Sequence, residues 1–171
     1  TAEAWIYDIE GRPRWHRQAS LSVPPASAQQ CFPLTLPADL TPVYFVKLVL
    51  RRGPELISDN FYWAPLQNHD CTALEHLPRV ALDVSAHVSS SHIATTVSNP
   101  TSAIALAVRL KAVDAATGNR ILPAMAQDNY FSLLPGETRA ITISFPQQSL
   151  ASTSVHLDVE GWNVEPRTIL I

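Results

Sequence analysis

With 171 residues, 46% of them hydrophobic and 16% charged, the chain has a globular composition. It is long enough to bury a core without metals or a framework of disulfides. Fourteen prolines against five glycines would break regular helices often, which points to an all-β fold. A net charge of −3 with scattered Lys and Arg offers no basic face to nucleic acid, and no apolar run approaches the ~20 residues that span a bilayer.

Alternating or β-branched apolar runs predict strands over residues 3–8, 15–23, 31–36, 43–51 and 57–63. Turn signals separate them at Glu10-Gly11-Arg12-Pro13, at Pro24-Pro25, over residues 37–42 and at Arg52-Gly53-Pro54. In VYFVKLVL, Val43, Phe45, Lys47 and Val49 share one face, and Tyr44, Val46, Leu48 and Leu50 share the other. The second face is wholly apolar and is expected to meet the core. Residues 67–79 read as a linker, with one short helical turn around residues 72–77.

A second series follows, with strands over residues 80–88, 92–98, 104–113, 129–133, 138–145 and 154–160. In VALDVSAHV, Val80, Leu82, Val84, Ala86 and Val88 alternate with more polar residues, the pattern of a half-buried antiparallel strand, and ITISF repeats it. SNPTS, ATGN and LPGE supply tight connections, with Gly118 and Gly136 suited to backbone conformations that other residues resist.

Six strands at this spacing fit an immunoglobulin- or fibronectin-like β-sandwich, so residues 80–171 are expected to form a complete module. Residues 1–66 supply five strands where such a sandwich normally has seven, and are expected to form the later part of a second one. On that reading Thr1 is a processing boundary or a cut within a longer protein. The unpaired edge and apolar face of the first sheet would then be covered by the second module, a symmetry mate or a separate polypeptide. TAEAWIYD has neither the basic nor the apolar region of a signal peptide.

Several phrases resemble a known family. WIYDIEGRPRWHRQASLSVPP with its D-x-x-G turn, VYFVKLVLRR with YF-x-x-L-x-L, and LISDNFYW with S-x-N-x-YW are similar to the later strands of the immunoglobulin-like domain behind the catalytic barrel of family 2 glycoside hydrolases. LPRVAL, VSNPTSAIALAVRL, GNRILPAMAQDNYFSLLPGETRAITISF and VEGWNV resemble the terminal immunoglobulin-like domain of exo-β-D-glucosaminidases and the related β-mannosidases, including mannosylglycoprotein endo-β-mannosidases. The resemblance implies an accessory region whose partner is the barrel of the same parent enzyme. It leans towards a periplasmic or secreted location. An independent carbohydrate-binding module and a protein-interaction sandwich are the competing readings.

A retaining glycosidase needs two carboxylates about 5 Å apart across the sugar, and the family carries them on a (β/α)₈ barrel. No strand–helix alternation of that kind occurs here, and no residue matches the family's catalytic motifs. Asp8, Glu10, Asp114 and Glu137 read as turn or strand-end acids. No GxSxG is present, and Ser89, Ser90 and Ser91 fall in a loop. His69, Asp70, Cys71 and His76 are zinc ligand types at a spacing that matches no established finger. The sequence therefore assigns no catalytic residue, no metal ligand and no cofactor.

Sugar contact is the remaining chemistry, since tryptophan faces can bury the CH face of a pyranose. Trp5 and Trp63 lie inside apolar strands and are expected to be buried, whereas Trp15 and Trp162 adjoin polar or turn residues and are the candidate sugar contacts. Core packing competes with that role even for Trp162. Cys31 and Cys71 are expected to stay unbonded, Cys31 as a small buried hydrophobe and Cys71 in a polar linker.

Overall fold

The computed structural model describes residues 1–146 and 154–171, and among them twelve β-strands and a single 3₁₀ turn are the regular elements. The chain divides into two compact units, Thr1–Leu77 and Pro78–Ile171.

The first unit is one antiparallel sheet made of β1 (Ala2–Tyr7), β2 (Pro13–Ala19), β3 (Val43–Arg52) and β4 (Glu55–Pro65), in the order β2-β1-β3-β4. The Gly11 turn joins β1 to β2: Gly11 takes φ +80°, and buried Asp8 accepts the Glu10 and Arg12 backbone N–H groups at 3.1 and 2.9 Å. Both faces of β3 carry buried side chains. Ile6 and Val46 form a small cluster with Leu40 on one face, with Trp15, Tyr44 and Leu48 packed against it. Val43 and Phe45 on the opposite face are fully buried, while Leu50 of the wholly apolar row is 39% exposed. The Tyr44–Leu50 face thus meets the core as expected through Val46, with Tyr44 and Leu48 packed beside it, while the other face is buried as well, since counting apolar residues cannot tell which face a distant segment will cover.

Residues 31–36 form no strand. Pro33 and Pro37 remove ladder donors there, and residues 20–42 cross the sheet as irregular chain, bringing Phe32 against Trp15 and Leu40 against Ile6 and Val46. Cys31 is consequently exposed rather than a buried hydrophobe, and both it and Cys71 are free thiols. The unit is a single four-stranded sheet, with part of its cover supplied from within the unit. Thr72–His76 forms the expected helical turn, started by Asp70, which accepts the Thr72 backbone N–H at 2.9 Å.

The second unit is a β-sandwich. One sheet runs β5-β6-β10-β8, from β5 (Asp83–Val88), β6 (His92–Ser98), β10 (Thr138–Ser144) and β8 (Met125–Ala126). The other runs β12-β11-β7-β9, from β12 (Arg167–Leu170), β11 (Val155–Glu160), β7 (Ala105–Asp114) and β9 (Phe131–Leu133). Period-two alternation aims Ile93, Val97, Ile141 and Ile143 from the first sheet at Val108, Leu110, Leu157 and Val159 from the second, all in one buried cluster. Val80 and Leu82 belong to that core but precede β5. Val80 instead bridges Val164 in parallel, its N–H donating to the Asn163 carbonyl at 2.9 Å.

The SNPTS and LPGE turns are tied together. Asn99, 1% exposed, donates from its side chain to the carbonyls of Ala103 and Leu133, and its backbone exchanges hydrogen bonds with Gly136 and Glu137. Gly136 takes φ +77° there, and Gly118 takes +70° in the ATGN turn.

Candidate functional site

The acids named from sequence are held as turn residues. Asp114, 4% exposed, accepts from the backbone N–H groups of Ala116 and Thr117 and from the Thr117 hydroxyl, and Glu137 accepts the Leu134 N–H at 3.0 Å. Asp8 accepts the two turn donors described above, with Arg14 3.7 Å away. Asp70 closes its own turn, and hydrogen bonds from Thr72 hold its carboxyl below the ordinary aspartate value.

The four tryptophans do not divide as expected. Trp63 is 48% exposed, because β4 is the edge strand of its sheet among the described residues, which its apolar neighbours in sequence did not reveal. Trp5 is half-buried and stacked on His16 at 3.6 Å, and Trp15 is half-buried with Phe32 beside it. Trp162 is 56% exposed. Of the pair named from sequence, Trp15 belongs to the first unit and Trp162 to the second.

Trp162 sits on a rigid support. Its N–H donates to the Leu106 carbonyl at 2.9 Å. The next residue, Asn163, is 3% exposed; it accepts the Leu106 N–H at 2.9 Å and donates to the carbonyls of Pro78 and Ile104, both at 2.8 Å. The residue before has no room for a side chain, since a Cβ on Gly161 would lie 2.7 Å from Val164 Cγ2 and 3.0 Å from the Leu106 carbonyl oxygen. EGWN is thus a close-packed plug with its aromatic ring turned out.

Two residues before Trp162, at the end of β11, Glu160 takes Arg109 on one oxygen at 3.0 Å and Lys111 on the other at 2.9 Å. The Lys111 hydrogen bond is the main reason its carboxyl lies below the ordinary glutamate value. Arg109 also stands over the ring of Tyr130, 5.5 Å from its centre, and Tyr130 is 61% exposed. Tyr130 has φ +58° and Ala107, at the register shift between Ala105 and Val108, has φ +53°. Side chains resist that region at a cost of order 1 kcal/mol. Asn129 holds the Tyr130 conformation by standing in for a strand, accepting the Leu110 N–H at 2.9 Å and donating to its carbonyl at 3.1 Å. Sequence reading placed Tyr130 inside a strand and gave it no role. The signal available was the Asp128-Asn129 pair before it, residues that favour turns and positive φ.

The model of the family described as the exo-beta-D-glucosaminidase Ig-fold domain matches residues 60–164. The chain belongs to this family. The Ig-fold match starts within β4 and takes in most of the second unit. Longer relatives align with the first unit as well. Exo-β-D-glucosaminidases of Streptomyces avermitilis and Amycolatopsis orientalis are each 27% identical to it over 99% of this chain, and that of Arthroderma benhamiae is 23% identical over 96%. The chain spans only 22%, 19% and 20% of those three proteins. The crystal structure of the Amycolatopsis orientalis exo-chitosanase CsxA superposes with a TM-score of 0.89 at 24% identity, over 99% of this chain and 23% of that one, a likeness of fold. The Ig-fold domain here is thus a small immunoglobulin-like part of the length its relatives reach.

Proposed function

We propose that this chain is a non-catalytic accessory region of a family 2 glycoside hydrolase acting on β-D-glucosaminides, and that it packs against the catalytic barrel of the same parent. The observation that carries the reading is the alignment of 99% of the chain with about a fifth of two named exo-β-D-glucosaminidases. The three named relatives support glucosaminide over mannoside as the parent's substrate. Asp8, Asp114 and Glu137 serve turns and Glu160 an ion pair, which supports a role in packing and support.

The experiment is an exchange. In the Streptomyces avermitilis enzyme, the aligned region is deleted or replaced by this chain, and hydrolysis of an aryl β-D-glucosaminide is followed with thermal inactivation. Deletion is expected to abolish soluble, active enzyme and replacement to restore it in part. This chain alone is expected to turn nothing over. Turnover by the chain alone, lost on changing one of its own acids, would overturn the reading, as would a deletion that leaves activity and heat resistance untouched.

A further inference from the structure

We infer that β4 is an association edge, and that its residues 59–65 pair antiparallel with the same stretch of a second copy of this chain, about a two-fold axis at Tyr62.

Among the described residues each sheet ends on strands without an outer neighbour, and such edges invite pairing unless they are short, charged or broken by proline. β2 begins on Pro13 and carries Arg14, His16 and Arg17. β5 carries Asp83 and His87. β8 and β9 are two and three residues long, and β12 is four residues long and opens on Arg167. β4 runs for eleven residues with no Lys or Arg, and between Asp59 and Pro65 it reads Asn60-Phe61-Tyr62-Trp63-Ala64, uncharged and rich in strand formers. Tyr62 is 51% exposed and Trp63 48%. Phe61 between Asn60 and Tyr62 is already fixed, stacked at 5.4 Å on fully buried Phe45.

The ladder with β3 limits the seam. Leu50 faces Ser58 and Arg51 faces Leu56, so Ile57 has no opposite number and β4 bulges there. A bulge turns an edge away from a newcomer, which removes residues 55–57. From Ser58 to Pro65 the register is unbroken.

Two antiparallel copies of one strand, related by a two-fold axis, set one residue opposite itself, and side chains directly opposite share a face. Centred on Tyr62, the seam sets Phe61 against the partner's Trp63, Asn60 against the partner's Ala64 and Asp59 against the partner's Pro65, each pair repeating across the axis. Three aromatic contacts then stand at its centre. Charge agrees with this choice: Glu55 and Asp59 are the charged residues of β4, Glu55 lies beyond the seam and Asp59 meets a proline. An axis at Asp59 would oppose two carboxylates. One at Asn60 would draw the bulge into the seam, and one at Phe61 or Trp63 would leave a single aromatic pair. Seven residues a side fall short of the about 20–30 of a standard interface, so a micromolar pair is expected rather than a nanomolar one.

The test is sedimentation velocity of the full 171-residue chain from about 1 µM to about 1 mM, with amide hydrogen exchange at both ends of that range. The mass is expected to rise from one copy towards two, with exchange slowed at high concentration over residues 59–65. Tyr62→Lys and Tyr62→Glu each set like charges against each other on the axis. Each is expected to weaken association by about tenfold, with the far-UV circular dichroism unchanged. Mixed in equal amounts, these two variants are expected to pair with each other, because residue 62 faces itself in this register alone. Met125→Lys, on the other exposed edge at β8, is expected to change nothing. A single copy at every concentration, or protection that arises on another strand, overturns the association edge, and both are read on the parent chain whether or not a variant folds. A mixture that associates no better than either variant alone overturns the axis at Tyr62.

Discussion

Pro78–Ile171 closes two four-stranded sheets over a cluster of eighteen buried side chains, whereas Thr1–Leu77 has a single four-stranded sheet with three buried residues in the cluster on its Ile6 face. The strands of the two units are equally convincing as sequence: VYFVKLVL is as apolar as ALAVRLKAV. What differs is the source of cover. In the second unit each sheet is the other's cover, so inward rows meet inward rows and burial follows alternation. In the first, irregular chain over residues 20–42 lies on one face, and long β4 is left as an edge with Tyr62 and Trp63 about half exposed. A strand's pattern thus says which residues share a face, and only the neighbour says whether that face is dry.

The contrast can be broken by truncating one leucine in each unit. Leu157→Ala, in the middle of the sandwich, is expected to cost about 3–4 kcal/mol, since fully packed leucines leave cavities that collapse poorly. Leu40→Ala, at 8% exposure on irregular chain that can settle, is expected to cost about half as much. Urea unfolding of both variants decides it, and equal losses would mean that the first unit is as tightly packed as the second.

Asn163→Ala removes three side-chain hydrogen bonds from a 3% exposed position and strands the Leu106 N–H and the carbonyls of Pro78 and Ile104. A loss of about 2–3 kcal/mol is expected, with amide exchange rising first at residues 104–106 and 162–164. Uniform exchange changes across the second unit would show that the plug is not a local device.

Thr95 sharpens the picture from the other side. Its hydroxyl is buried on β6 between Ile93 and Val97 and, among the described residues, has no hydrogen-bond partner. Thr95→Val keeps the shape and removes the unsatisfied group, and is expected to raise stability by about 1 kcal/mol. A lower melting temperature for the variant would contradict this.

The smallest effect concerns Glu160. Its carboxyl is held below the ordinary glutamate value of 4.5 by Lys111 and Arg109, so the ion pairs contribute stability above that value and lose it as pH falls through the lowered one. The side chain is 33% exposed, which limits the contribution to about 0.5 kcal/mol. The melting-temperature difference between Glu160→Gln and the parent chain should be present at neutral pH and vanish in the acid range below 4.5. A difference that persists there would belong to packing and not to charge.

The candidate site was legible only in pieces. Trp162 stood out because glycine and asparagine flank it, and those neighbours do hold it outward. Trp63 misled because an edge strand and a central strand have the same apolar content. Tyr130 and Arg109 lie twenty-one residues apart in the chain and became one feature only when β7 and β9 paired.

Alternation and turn chemistry by themselves determined the all-β class, ten of the twelve strands, and the roles of Asp8, Asp114, Glu137, Gly118 and Gly136, because each of these depends on residues within a few positions. Tertiary structure alone decided the remainder. β8 is two residues long and β12 mostly exposed, so each exists only through the ladder of its neighbour, β10 or β11. Residues 31–36 lost their strand because their prolines left no ladder to join, and Cys31 on that irregular chain and Trp63 on an edge strand are exposed. Period-two patterning is a local property of the backbone, while pairing and burial depend on which distant segment arrives, and that is not written at any one position in the chain.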